Sequence, residues 1–279
     1  MVVIESVASA QLAGRSTNDD RLISAGRGVV VLDGASSHVR DEQISGGVYA
    51  ELLGTAIVRR LEERQPVASL LAESIAEVAE TLELGSLSAS PSSTVAIVRA
   101  DPRGRAAAEL LVLGDSMIIV GYSDGRQQVM CDERLGALKL PESDRYRSRL
   151  RAGTGFDQTH KALLADLQRG ERRARNREGG YWIASEDPSA AHHALTAVVP
   201  LAEVEWVLLA SDGVAEPVGE LGPAWSDIAQ FDSSELAALL KRLNAWEAEA
   251  DPDGRLMPRS KRHDDKTIAV VRFSIDGVG

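Results

Sequence analysis

Gly28-Val-Val-Val-Leu-Asp-Gly34 and Val207-Leu-Leu-Ala-Ser-Asp-Gly213 share one pattern, a short apolar run halted by Asp-Gly. Runs of this kind read as β-strands. Asp115 likewise follows Leu110-Leu-Val-Leu-Gly114, and Asp264 with Asp265 immediately precedes the β-rich residues 267–275. Taken singly, each Asp-Gly is an ordinary turn, because both residues tolerate the backbone angles a turn requires. As a set at four strand ends, the carboxylates can converge on one edge of a sandwich, where their repulsion would be costly without cations. Hard oxygen donors favour Mg²⁺ or Mn²⁺.

Outward from these runs, residues 2–12, 21–25 and 28–32 read as strands framing Asp19, Asp20 and Asp33. Apolar residues then recur at three- and four-residue spacing (Val48, Leu52, Leu53, Ala56, Ile57, Leu61), which predicts a helix over 45–63. A second helix follows over 66–84, with Pro66 near its start. A Ser-rich loop at 85–93 leads to strands at 94–99, 108–113, 117–122 and 127–131, expected to form an antiparallel meander. Residues 139–180 break the pattern with many arginines and a helix between 160 and 177, so 139–199 reads as an insertion or flap. A strand at 204–210, a helix to about 249 opened by an Asp232/Glu235 capping box, a loop at 250–263 and a final strand at 267–275 complete the chain. Strands in two batches with helix pairs between and after them suggest an α+β fold of two antiparallel sheets packed face to face, helices outside.

With 44% hydrophobic and 26% charged residues, the 279-residue chain has an ordinary globular composition. Its net charge of −11 repels phosphate backbones, so nucleic acid is not an expected partner. Its single cysteine, Cys131, excludes an intrachain disulfide and fits a reducing, cytoplasmic compartment. No basic region followed by an apolar leader, and no apolar run long enough to span a bilayer, is present, so no membrane association is expected.

Six segments, in order, carry a resemblance: Arg15-Ser-Thr-Asn-Asp-Asp20, Val31-Leu-Asp-Gly34, Ser93-Thr94, Gly114-Asp-Ser116, Leu208-Leu-Ala-Ser-Asp-Gly213 and Asp264-Asp-Lys-Thr267. Together they resemble the metal-dependent Ser/Thr protein phosphatases of the 2C type, over residues 1–135 and 200–279. The resemblance implies a single phosphatase-like domain over 1–279, built as a four-layer αββα sandwich. It also implies hydrolysis of phosphoserine or phosphothreonine in proteins by a hydroxide bridging two Mn²⁺ or Mg²⁺ ions, with a third metal in many bacterial members. A separate Ser/Thr kinase would supply the phosphorylated substrate.

By position, the resemblance places Asp33 between both metals, with Asp19 and the Gly34 carbonyl on one and Asp212 and Asp264 on the other. Asp20 would hold a metal-bound water. Asp115 matches the third-metal ligand, and Glu216 stands where the family usually has a second aspartate. Arg15 would bind the phosphate, its planar fork suiting two phosphoryl oxygens. His38, five residues after Asp33 as in the bacterial motif, is a candidate general acid, although Ser36-Ser37 replace the usual glycine pair.

Elsewhere the residues point to lesser roles. Cys131 lacks the Cys-x5-Arg loop of a phosphatase nucleophile and reads as a half-buried strand residue. His160, His192, His193 and His263 lack zinc-ligand spacing. Arg169, Arg172, Arg173, Arg175 and Arg177 read as a solvated helix face or an anion-attracting lid. A catalytically weak sandwich that serves as a binding or sensing module is the alternative function.

Overall fold

In the computed structural model, which describes residues 2–35, 44–85 and 90–275, every residue of the run 28–32 is buried in a strand. The two faces of this strand divide the interior. Val30 and Leu32 pack towards helices, whereas Val29 and Val31 pack into a second cluster between two sheets, as the two-residue period of a strand requires.

The chain runs β1 (Val2–Leu12), β2 (Arg21–Ala25), β3 (Gly28–Leu32), a short β4 (Gly34–Ala35), α1 (Gly46–Arg60) and α2 (Val67–Thr81). It continues with a short β5 (Ser92–Ser93), β6 (Val95–Ala100), β7 (Ala107–Leu113), β8 (Met117–Tyr122) and β9 (Gln127–Cys131). Helices α3 (Pro141–Arg151) and α4 (Gln158–Ala174), a 3-10 turn at Pro188–His193 and strands β10 (Leu195–Pro200) and β11 (Val204–Ala210) follow. The remainder is α5 (Asp212–Leu221), α6 (Trp225–Ile228), α7 (Ser233–Glu249) and β12 (Lys266–Ile275).

One sheet has the order β1-β12-β11-β8-β9 and the other β10-β7-β6-β3-β2. Neighbouring strands in both are antiparallel. α1 and α2 cover the second sheet and α5, α6 and α7 the first, giving the αββα sandwich. No helix among the described residues is long and apolar enough to cross a membrane.

Two ties outside the core fix the outer layers. The Asp232 carboxylate accepts from the Ser234 and Glu235 amides, and the Glu235 carboxylate accepts from the Asp232 amide, so the capping box predicted from sequence opens α7. Arg99, fully buried on β6, pairs with Glu109 across the ladder and donates to the carbonyls of Glu63 (3.1 Å) and Gln65 (2.7 Å) in the α1–α2 loop.

Several expectations need correction. Residues 94–131 are not one meander: β6 and β7 belong to one sheet, β8 and β9 to the other. The chain changes sheets at 114–116, where Gly114 adopts φ +82° and a Cβ would meet Thr94 Cγ2 at 2.9 Å. The 139–199 segment also divides. Residues 141–174 form a two-helix flap with its own small core (Tyr146, Leu150, Leu167), whereas 195–200 is an edge strand paired with β7.

Candidate functional site

Asp33 leaves β3 at the rim of the sandwich, where the Thr94 hydroxyl accepts from its backbone N–H (3.3 Å) and shares a 2.6 Å hydrogen bond with Ser116. These contacts lock the end of β3, the start of β6 and the sheet crossover together. Gly34 lies against α1: a Cβ here would fall 2.5 Å from the Gly46 carbonyl carbon and 2.7 Å from the Asp19 carbonyl oxygen. No side chain larger than hydrogen fits.

Asp19 accepts from the Gly47 amide (3.0 Å) in the first turn of α1, where the helix dipole favours negative charge. Its own loop is gripped by Asp265, which accepts from the Gly14 (2.7 Å) and Asp19 (2.8 Å) amides. Asp20 is buried behind it and accepts from the Ser211 hydroxyl (2.8 Å), while its other oxygen, Oδ1, has no partner. From the opposite sheet, β11 delivers Asp212 to the first turn of α5, with Oδ1 also buried and unpartnered. The loop before β12 delivers Asp264.

Asp19, Asp33, Gly34, Asp115, Asp212 and Asp264 line one cleft of about 340 Å³, with Arg15 at its exposed mouth. Both sheets therefore contribute. Among the described residues, Arg15 makes no hydrogen bond or ion pair, leaving its guanidinium available. A neighbouring hollow shares Asp115, Asp212 and Asp264 and adds Glu216, which lies one helical turn after Asp212 on the same face of α5.

The carboxyls resist ionisation. Burial, then the charges of Asp20, Asp212 and Asp264, push Asp33 well above the usual carboxylate range. Burial and then the Asp264 charge raise Asp212. Burial pushes Asp20 up to about 7. Burial and Asp212 do the same to Asp115. Glu216 also rises to about 7, by desolvation and then by the Asp212 charge.

A cluster of acids with orphaned oxygens must either hold protons or receive a cation. Hard oxygens, two of them buried without a donor, suit Mg²⁺ or Mn²⁺ chemically. Among the described residues, however, no three Asp, Glu, His or Cys side chains converge around one point at metal-binding geometry. Lys261 pairs with the Asp264 carboxylate at 2.6 Å.

The remaining sequence candidates fall as follows. His38 lies outside the described residues. Cys131 is half-buried, its thiol directed at the Asp115 carbonyl (3.7 Å) and pushed up to about 11 by burial and then by the Asp115 charge, which disfavours a thiolate nucleophile. His193 stacks on Trp182. His160 packs edge-on against Tyr146 and Phe156. His263 pairs with Glu247.

The arginine cluster does not form a basic lid over the cleft. Arg169 pairs with Asp166 and Arg175 with Glu186, while α4 turns Gln168 and Glu171 towards the acids. Glu171, Lys261 and the gripping role of Asp265 were missed from sequence. No spacing marks Glu171, because its proximity arises only when the flap docks. Lys261 had one signal, a cation three residues before Asp264.

No family model and no curated protein sequence matches the chain. Solved structures do match in fold. The serine/threonine phosphatase PstP/Ppp of Mycobacterium tuberculosis superposes with a TM-score of 0.56 at 16% identity, covering 98% of this chain and 99% of that one. The PstP catalytic domain in complex with two manganese ions gives 0.53 at 16% identity, with 99% and 100% coverage. The PPM Ser-Thr phosphatase MsPP of Mycobacterium smegmatis, in complex with cacodylate, gives 0.53 at 16% identity, with 96% and 98% coverage. The chain has the fold of PPM-type Ser/Thr phosphatases.

Proposed function

We propose that this protein is a metal-dependent phosphatase of phosphoserine and phosphothreonine side chains in proteins. One observation carries the reading. Within a phosphatase fold, Asp19, Asp33, Asp212 and Asp264 from both sheets line a single cleft, with an orphaned Asp212 oxygen and with Asp33 and Asp212 raised above the usual carboxylate range by burial and neighbouring charge.

On this reading Asp33, Asp19 and the Gly34 carbonyl would hold one divalent cation, and Asp33, Asp212 and Asp264 would hold a second. The cations, when bound, supply an activated water and neutralise phosphoryl charge. The protein's own groups do the rest. Arg15, unpaired at the mouth, holds two phosphoryl oxygens in its fork and fixes the phosphorus for in-line attack. The free Oδ1 of Asp20 accepts a hydrogen bond from the attacking water and orients it. Asp115 and Glu216 would hold a third cation, and the sequence resemblance assigns protonation of the leaving oxygen to His38, which lies outside the described residues.

The test is hydrolysis of para-nitrophenyl phosphate and of a phosphothreonine peptide with Mn²⁺ or Mg²⁺. Turnover that falls about a hundredfold or more in Asp33→Asn is expected. No activity with either metal would refute the enzyme. A second reading, a sandwich that binds a phosphorylated partner without turnover, is favoured by the Lys261–Asp264 ion pair; it predicts saturable phosphopeptide binding with no phosphate released.

A further inference from the structure

Lys261 enters the cleft on the segment 257–263, and the neighbouring groups hold that segment in place. Arg259 donates to the carbonyls of Met257, Asp251, Glu247 and Arg262 and to the Asp251 carboxylate (2.7 Å). The Ser260 carbonyl is held by His160 of the flap (3.1 Å), and His263 is held by Glu247 (2.9 Å), which also binds Lys266. The residues on either side of Lys261 are thus pinned, and its side chain is the one delivered to the acids.

There Nζ bonds Asp264 Oδ1 at 2.6 Å. Asp33 and Asp212 line the same cleft as Lys261. On the phosphatase reading, Asp33, Asp212 and Asp264 hold one of the two cations.

The geometry points to Lys261 as a built-in competitor of one of the two cations: its ammonium pairs with Asp264 in the cleft that Asp33 and Asp212 also line, and must swing out before a divalent ion binds there. The inference rests on the phosphatase reading of the site. It makes occupancy unequal. The Asp19–Asp33 position fills first, and the Asp212–Asp264 position fills only at higher metal concentration. The side chain is 39% exposed, so it has open space to withdraw into. Metal availability would then regulate the protein through a single ion-pair exchange.

The experiment is Mn²⁺ binding to the metal-free full chain, followed by calorimetry and by the electron paramagnetic resonance signal of free Mn²⁺. Wild type should bind one ion tightly and a second more weakly. Lys261→Met should tighten the weaker step about tenfold or more, Lys261→Arg should stay near wild type, and Asp264→Asn should lose the weaker step in either background. Melting adds a second readout: metal-free Lys261→Met should melt below wild type, and saturating Mn²⁺ should reverse that order. Far-UV circular dichroism checks that the variants are folded. Equal affinities for both steps in wild type and Lys261→Met would overturn the competition and leave the metal site standing. Absence of any Mn²⁺ binding that Asp33→Asn abolishes would overturn both.

Discussion

Asp33 is a carboxyl placed where its charge is resisted by burial and by three neighbouring acids. Asp33→Asn should therefore separate function from stability. It should abolish Mn²⁺-dependent turnover, yet raise the melting temperature of the metal-free protein, by about 2–4 °C for each kcal/mol of relieved repulsion. Calorimetry in a chelator checks this. Arg15 presents the opposite case, an exposed side chain with no partner to lose among the described residues. Arg15→Ala should lower kcat/KM for a phosphopeptide about a hundredfold and leave the urea midpoint unchanged. Gly34 was read in the sequence as a turn residue and a carbonyl donor. Its reason for being glycine, contact with Gly46 and Asp19, depends on a helix packing against a strand and has no local signature.

Elements made of uninterrupted apolar runs or strict helical spacing were legible because burial selects their residues directly: β3, β11, α1 and α7 lie where the pattern puts them. β10 was not read. Its residues alternate poorly and only Val199 is buried, as suits an edge strand beside β7. α5 was hidden by Asp212-Gly213, which read as a turn, whereas Ser211 and Asp212 open a helix there. α3 lay in arginine-rich sequence whose few core contacts, Tyr146 and Leu150, give too sparse a period. The acids' common edge was legible from their place at strand ends, but which groups oppose them across the cleft depends on the docking of the flap and the 257–263 segment. Between elements, Arg99 joins β6, β7 and the α1–α2 loop through a buried ion pair and two carbonyls. Arg99→Ala leaves Glu109 buried and should cost about 3–5 kcal/mol in urea unfolding. Asp232→Ala, which removes only the α7 cap, should cost about 1 kcal/mol.

Across the whole molecule, the cleft sets the pH response. Asp20, Asp115 and Glu216 titrate near 7 in the folded protein, against 3.8 for Asp and 4.5 for Glu in an unfolded reference. Between these limits the folded chain holds more protons than the unfolded one, so their contribution is present at low pH and is lost as pH rises from about 4 to about 7. Metal-free protein should melt at a lower temperature at pH 8 than at pH 5.5. Saturating Mn²⁺ should flatten or invert that slope, since a cation binds the ionised carboxylates. A scan in chelator and in Mn²⁺ across this range is the check.

The pairing of the outermost strands has a consequence for biosynthesis. Among the described residues β1 finds its ladder partner only in β12, Val2 opposite Ile275, and β12 in turn separates β1 from β11. On the ribosome, β1 emerges early and waits with its hydrogen-bonding edge open while the intervening sandwich is made. Glu5, Ser6, Ser9 and Gln11 make that waiting segment polar, which blunts wrong pairing of an exposed edge. Asp264 arrives just ahead of the closing strand. The cleft is therefore completed in the same step that seals the sheet, and no earlier nascent chain can carry a finished site.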